Sequence, residues 1–126
     1  MNPLSEKIHC GTLGELLVQI RLFQHGVQAA PPIKDSGNDL IAIRGESFRA
    51  VQVKTRKDEP FTLGPLPPLY HVVALVHLVG EDEEVHLDAS RVFLIPREAF
   101  EGRAIRYFDD VAEFALRRDL VERLFY

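Results

Sequence analysis

A carboxylate at Asp39, an amide at Gln52 and an ammonium at Lys54 are the side chains of this sequence best suited to act together. The stretch from Ser36 to Thr55 alternates as a β-hairpin. Whether its turn is counted as Gly45-Glu46 or as Arg44 to Ser47, the register is the same. Ile43 falls opposite Phe48, and Asp39 therefore opposite Gln52. Directly opposed residues hold their Cβ atoms roughly 4.5–5.5 Å apart on one face. Lys54 lies two residues beyond Gln52, so strand alternation turns it the same way. Ile41, Ile43, Phe48 and Ala50 share that face, and Leu40, Ala42, Val51 and Val53 take the other. Two apolar faces predict strands inside a sheet covered on both sides, with the polar trio interrupting a core pattern. The alternative for the trio is a structural salt bridge between Asp39 and Lys54 at a sheet end.

The elements that position these groups follow from periodicity. Leu13, Leu16, Leu17, Ile20 and Phe23 recur at helical spacing, and Gly26 follows as a stop. The helix starts either at Asn2-Pro3 or later, at a capping box formed by Thr12 and Glu15. Val27 to Ala30 reads as a short strand, residues 39–43 and 48–54 as the hairpin, and Tyr70 to Val79 as a sheet-interior strand. Between them, residues 55–69 form a charged, then proline-rich loop that is mobile or draped over the surface. Val85 to Leu87 pairs briefly, Arg91 to Ile95 is a further strand closed by Pro96, and Arg97 to Phe100 makes a helical turn. Asp109-Asp110 opens a terminal helix whose apolar positions run from Val111 to Phe125. The expected fold class is α/β, with a mixed central β-sheet flanked by helices, in one domain spanning residues 1–126.

Composition narrows the classes. Hydrophobic residues at 46% and charged residues at 27% suit an ordinary globular protein, and no apolar run reaches membrane-spanning length. The first residues lack a signal-peptide core, so a cytoplasmic location is expected. The single cysteine, Cys10, has no internal disulfide partner and reads as a packing residue. His9, His25, His71, His77 and His86 show no zinc-type spacing, and no glycine-rich phosphate loop occurs. A net charge of −4 argues against indiscriminate nucleic-acid binding, but the charge is uneven. Residues 1–57 carry eight Lys/Arg against five Asp/Glu, and Arg44, Arg49, Lys54, Arg56 and Lys57 crowd the hairpin. Such a local patch either contacts phosphate or is a solvated hairpin edge.

Gly11-Thr-Leu-Gly-Glu15, Gly37-Asn-Asp39 and Gln52-Val-Lys54, in that order, resemble the PD-(D/E)xK nuclease superfamily. The likeness is to its small members similar to archaeal Holliday-junction resolvases, in a QxK form, and it spans roughly residues 8–57. It implies a restriction-endonuclease-like core and a metal-dependent endonuclease that hydrolyses DNA phosphodiester bonds. Asp39 then corresponds to the metal-binding aspartate, Gln52 to the usual Asp or Glu, Lys54 to the motif lysine and Glu15 to the acidic residue of the first helix. Asn38 stands where the pattern has proline. Mg²⁺ or Mn²⁺ would be held by Glu15, Asp39, Gln52 and the Val53 carbonyl.

Replacing a carboxylate by Gln52 removes one charge and keeps the oxygen, which weakens ion binding without abolishing it. Lys34, Ser36, Arg44, Arg56 and Lys57 are the candidate DNA contacts. Gly11 and Gly14 would let a long helix approach the sheet and bring Glu15 to Asp39, with Gln19 flanking the same site. A capping role for Glu15 is the alternative. A catalytically weak or inactive module that binds nucleic acid or a protein partner also accounts for Gln52 and the acidic balance. The resemblance favours a homodimer, and the apolar C-terminal helix either supports one or packs on the chain's own sheet.

Overall fold

The computed structural model describes residues 6–33, 39–81 and 84–125. Helix α1 (Glu6–Gln24) is followed by β1 (Gln28–Ala30), β2 (Leu40–Arg44), β3 (Ser47–Arg56), β4 (Val72–His77), β5 (Gly80–Glu81), β6 (Glu84–Val85) and β7 (Arg91–Pro96). Helix α2 (Arg97–Glu101), a 3₁₀ segment (Phe108–Phe114) and α3 (Arg118–Leu124) complete the chain. Five strands form one mixed sheet in the order β1-β2-β3-β4-β7. The β3–β4 pair is parallel and the other pairs are antiparallel. The fold is therefore mixed α/β with helices flanking the sheet, as expected. Among the described residues no helix is long and apolar enough to cross a membrane.

Helix α1 ends where Gly26 adopts φ +80°, with Gly26 N–H bonded to the Phe23 carbonyl and Val27 N–H to that of Leu22. This pairing is a Schellman cap, which needs a left-handed residue where glycine stands. Because α1 runs unbroken through Thr12, no capping box forms there, and Glu15 lies in the helix interior. The start at Asn2-Pro3 lies outside the described residues.

The buried stripe of α1 agrees with the expected one at Leu17 and, partly buried, at Leu13, and differs at the other positions. Leu17, Val18 and Leu22 are buried, whereas Leu16, Ile20 and Phe23 are 48%, 50% and 68% exposed. The helix carries apolar residues on two stripes, and periodicity alone does not say which one meets the sheet.

The hairpin has the expected register, with Ile43 opposite Phe48 and Leu40 opposite Val51. Gly45, at φ +59°, supplies the left-handed turn residue. Leu40, Ala42, Val51 and Val53 are buried. On the other face Ile43 and Phe48 are 37% and 60% exposed. Coverage on both sides thus holds for β4 and β7 but not for this end of the sheet.

The parallel step from β3 to β4 runs through residues 57–71 without a helix. That loop is pinned to the body. Phe61 is buried, its N–H bonds the Arg106 carbonyl, and Phe108 stacks near Phe61, His77 and Phe93 at centroid distances of 4.8, 4.0 and 5.9 Å.

The terminal helix expected from Asp109 is broken in two. Val111 leaves helical geometry, Ala115 bridges to Phe93, and Leu116 N–H bonds the Val92 carbonyl. The open edge of β7 takes these backbone groups as partners, which outweighs helix continuity. Leu120, Val121 and Phe125 are buried within the chain's own core, so of the two expectations for this helix it is packing on its own sheet that holds.

Candidate functional site

Asp39 stands just before the first residue of β2, where the β2–β3 ladder ends at the Leu40–Val51 pair. Its Oδ2 accepts two hydrogen bonds, from Gln52 Nε2 at 3.0 Å and from Val53 N–H at 2.9 Å. The Val53 N–H points toward the β2 side beyond that pair, and the carboxylate satisfies it as a strand carbonyl would. A residue that donates toward one neighbouring strand also aims its carbonyl that way, so the Val53 oxygen faces the same side as Asp39. The opposition of Asp39 and Gln52 expected from the register is thus realised as a direct contact.

Glu15 reaches this point from α1. Gly14, its neighbour, packs so tightly on β3 that a Cβ there would overlap Thr55 Oγ1 and lie 2.9 Å from Thr55 Cβ. Gly11, by contrast, has nothing within 4 Å of its Cβ position, so only one of the two glycines makes the close approach. Thr55 shares the β3 face of Val51 and Val53, which places α1 over that face.

Burial raises the Glu15 carboxyl above its ordinary range. The charge of Asp39 and a hydrogen bond to Asp39 raise it further. Two carboxyl groups from separate elements therefore converge, and the second takes up a proton more readily because the first is there.

Gln52 uses its NH₂ group on Asp39 and leaves Oε1 buried with no hydrogen-bond partner. Lys54, half-buried, follows on the same side of β3 by strand alternation and pairs with Leu75 of β4. The oxygen donors assembled here are two carboxylates, the Gln52 amide oxygen and the Val53 carbonyl. This is a hard-donor set of the kind a small divalent cation accepts. Among the described residues no three His, Cys, Asp or Glu side chains gather as a metal-holding group. Gln52 occupies the position where a third carboxylate would complete one.

The basic residues around the hairpin have separate fates. Arg44 lies at the turn end of β2, about 17 Å from Asp39 along a strand rising ~3.4 Å per residue. Arg56 is committed to the loop it precedes. Its Nε and Nη2 donate to the Thr62 carbonyl at 3.2 and 2.8 Å and Nη1 to the Thr55 carbonyl at 2.8 Å, and burial lowers its pKa. Lys57 borders a mixed-polarity hollow of about 660 Å³ that Cys10, Thr55 and Phe61 also line. Gln19, expected beside Glu15, lines a groove between α1 and β1. Lys34 and Ser36 lie outside the described residues.

Sequence reasoning did not single out Thr55. The available signal was alternation, which puts Thr55 on the helix-facing side of β3 opposite a glycine.

Fold and site together define a mixed α/β protein with a paired-carboxylate cluster at the end of a hairpin ladder. The chain matches no protein-family model, no curated protein and no solved structure.

Proposed function

We propose that this chain is a metal-dependent endonuclease-like protein of PD-(D/E)xK type, with a restriction-endonuclease-like core, that hydrolyses DNA phosphodiester bonds at branched or nicked structures. The reading rests on one observation: the Glu15 carboxyl, carried by a helix, lies within hydrogen-bonding reach of the Asp39 carboxyl at a strand start. Two carboxyls this close either share a proton or hold a cation between them, and the reading takes the second.

The residues present fit Mg²⁺ or Mn²⁺. Glu15 and Asp39 bring charge, and Gln52 Oε1 is an acceptor already buried and unpartnered. The Val53 carbonyl completes the set. When bound, such an ion supplies Lewis acidity at a phosphodiester and lowers the pKa of water. The chain's own contributions are distinct. Asp39 is oriented by the Gln52 and Val53 hydrogen bonds, and Lys54 sets an ammonium on the Gln52 side to offset charge developing on phosphate oxygens. Gln52 in place of a carboxylate supports a second reading, a weak or inactive nuclease-fold module that binds nucleic acid or a protein partner.

Incubation of the purified chain with branched, nicked and linear DNA, with Mg²⁺ or Mn²⁺ and beside Asp39→Ala and Lys54→Ala, separates the two. Cleavage that falls by at least ~100-fold in both variants supports the enzyme, consistent with loss of a metal ligand and of an electrostatic group. Binding without cleavage that survives Asp39→Ala supports the module. Absence of both removes the proposal.

A further inference from the structure

Three guanidinium groups and an imidazole from four separate segments converge on one hollow of about 310 Å³. Arg49 comes from β3, His71 stands just before β4, Arg97 opens α2, and Arg123 lies near the end of α3. In a chain of net charge −4 this gathering runs against the overall balance. Arg49 is three residues before Gln52, about 10 Å along β3, and alternation puts it on the other face of the sheet. The hollow is therefore separate from the Glu15–Asp39 cluster. Two of its donors are held by the fold. His71 Nδ1 accepts the Ala50 N–H at 2.9 Å, so the ring carries its proton on Nε2, as a donor. Arg97 lies over the Tyr70 ring at 4.6 Å, gives Nε to Glu101 at 3.0 Å and Nη1 to the Pro68 carbonyl at 2.8 Å. Those bonds fix its plane and, among the described residues, leave Nη2 without an acceptor. Arg123 is exposed and donates to none of the described residues.

From this we infer that the hollow between β3, α2 and α3 is a phosphate-binding pocket. Guanidinium forks match phosphate oxygens and hold them through charge-assisted hydrogen bonds. The number and separate origins of the donors select a tetrahedral anion over a carboxylate. One fork satisfies a carboxylate, whereas a phosphate group points its oxygens in different directions and takes donors from several sides. The hollow lies at the lower end of the ~300–1,000 Å³ usual for small-molecule sites, which suits a phosphate group with a short attachment. Glu98 also lines it, and Glu101 pairs with Arg97, so the empty pocket keeps an excess of positive charge without three uncompensated guanidiniums. Phosphate binding here requires nothing of the Glu15–Asp39 cluster, and its test reads no cleavage.

An amide NMR titration of the full chain with sodium phosphate, at about pH 7 and ~0.15 M NaCl so that diffuse surface attraction is screened, tests the pocket. Saturable shifts are expected at the amides of Arg49, His71, Arg97 and Arg123. Arg123→Gln weakens phosphate binding about 10-fold, the loss of one charge-assisted bond. Glu98→Gln tightens it roughly 3-fold, as removal of an exposed like charge should. Arg118→Gln, at an exposed arginine of α3 outside the lining, leaves it unchanged. If Arg123→Gln misfolds, Arg49→Gln carries the test with the same expected loss. A short oligodeoxynucleotide with and without a 5′-phosphate then separates the sources. Displacement of inorganic phosphate by the phosphorylated form alone assigns the pocket to a terminal phosphate, by both forms to a backbone phosphodiester, and by neither to free phosphate. Absence of saturable shifts with inorganic phosphate overturns the inference, and so do shifts centred away from these four residues or an equal loss in Arg118→Gln.

Discussion

Replacing Gly14 by alanine should destabilise this protein, although alanine is the better helix former. In an open helix interior the exchange gains about 1 kcal/mol. At Gly14 the added methyl meets the Thr55 side chain, including its Cβ at 2.9 Å. A rotamer change moves Thr55 Oγ1 and Cγ2 but leaves Cβ in place, so α1 and β3 must separate. Overpacking of this kind costs ~1–3 kcal/mol, and with a fixed atom in the way the upper half applies. The net loss is about 1–2 kcal/mol, or roughly 3–8 °C in Tm for a chain of this size. Urea or thermal denaturation of Gly14→Ala, Thr55→Gly and the double variant forms a cycle, and a coupling of ~1 kcal/mol or more locates the contact. Gly11→Ala is the internal reference, because nothing surrounds its Cβ, and it should stabilise by about 1 kcal/mol. If Gly14→Ala stabilises as Gly11→Ala does, α1 does not rest on Thr55, and the argument bringing Glu15 to Asp39 fails with it.

Two further outcomes bear on the cluster. Glu15 has a raised pKa, so its stabilising contribution is full below the ordinary carboxylate value of 4.5 and is lost as pH rises through the raised value. Glu15→Gln should therefore be more stable than the parent at neutral pH and lose that advantage in acid, which melting curves from about pH 4 to pH 8 would read. Gln52→Glu removes the Nε2 donor to Asp39, a charge-assisted bond worth ~1.5–3 kcal/mol, and adds a third carboxylate. It should melt lower than the parent in chelator and gain more Tm than the parent on addition of Mn²⁺.

The hairpin was legible because its register depends on local information: a glycine that reaches positive φ and a period-2 alternation running unbroken to Gln52. Asp39 against Gln52 followed from counting alone. The approach of Glu15 was half legible, since glycine spacing marked a close contact but gave no reason to prefer Gly14 over Gly11. Other features needed tertiary information. Of the expected stripe Leu13, Leu16, Leu17, Ile20 and Phe23, only Leu13 and Leu17 pack on the core, and the sheet chose Val18 and Leu22 over the rest. The terminal helix broke because the β7 edge required partners at Ala115 and Leu116, and no helical period encodes that demand. Arg56 looked like a phosphate contact by charge, whereas its guanidinium holds the Thr62 carbonyl, a partner defined only once the loop folds back.

The direction of the pKa shifts separates the Glu15–Asp39 cluster from ordinary structural polar contacts. Three acidic groups elsewhere sit where the fold favours their charge. Arg103 lowers Glu113, the Arg106 and Tyr107 amides lower Asp110, and Asp119, bridged to Arg117, is lowered as well. These contacts stabilise the charged form and need nothing further. Glu15 is the one carboxyl among the described residues whose resolved shift runs the other way, through burial first and then through the charge and hydrogen bond of another carboxyl, Asp39. Packing at Gly14 enforces that proximity, and Gln52 adds an unpartnered acceptor beside it. An arrangement built only for stability would place opposite charges together, as the Arg97–Glu101, Arg103–Glu113 and Arg117–Asp119 pairs do. Paired carboxyls beside a free amide oxygen are unfavourable as they stand, and a cation bound between them would reverse the sign of each contribution.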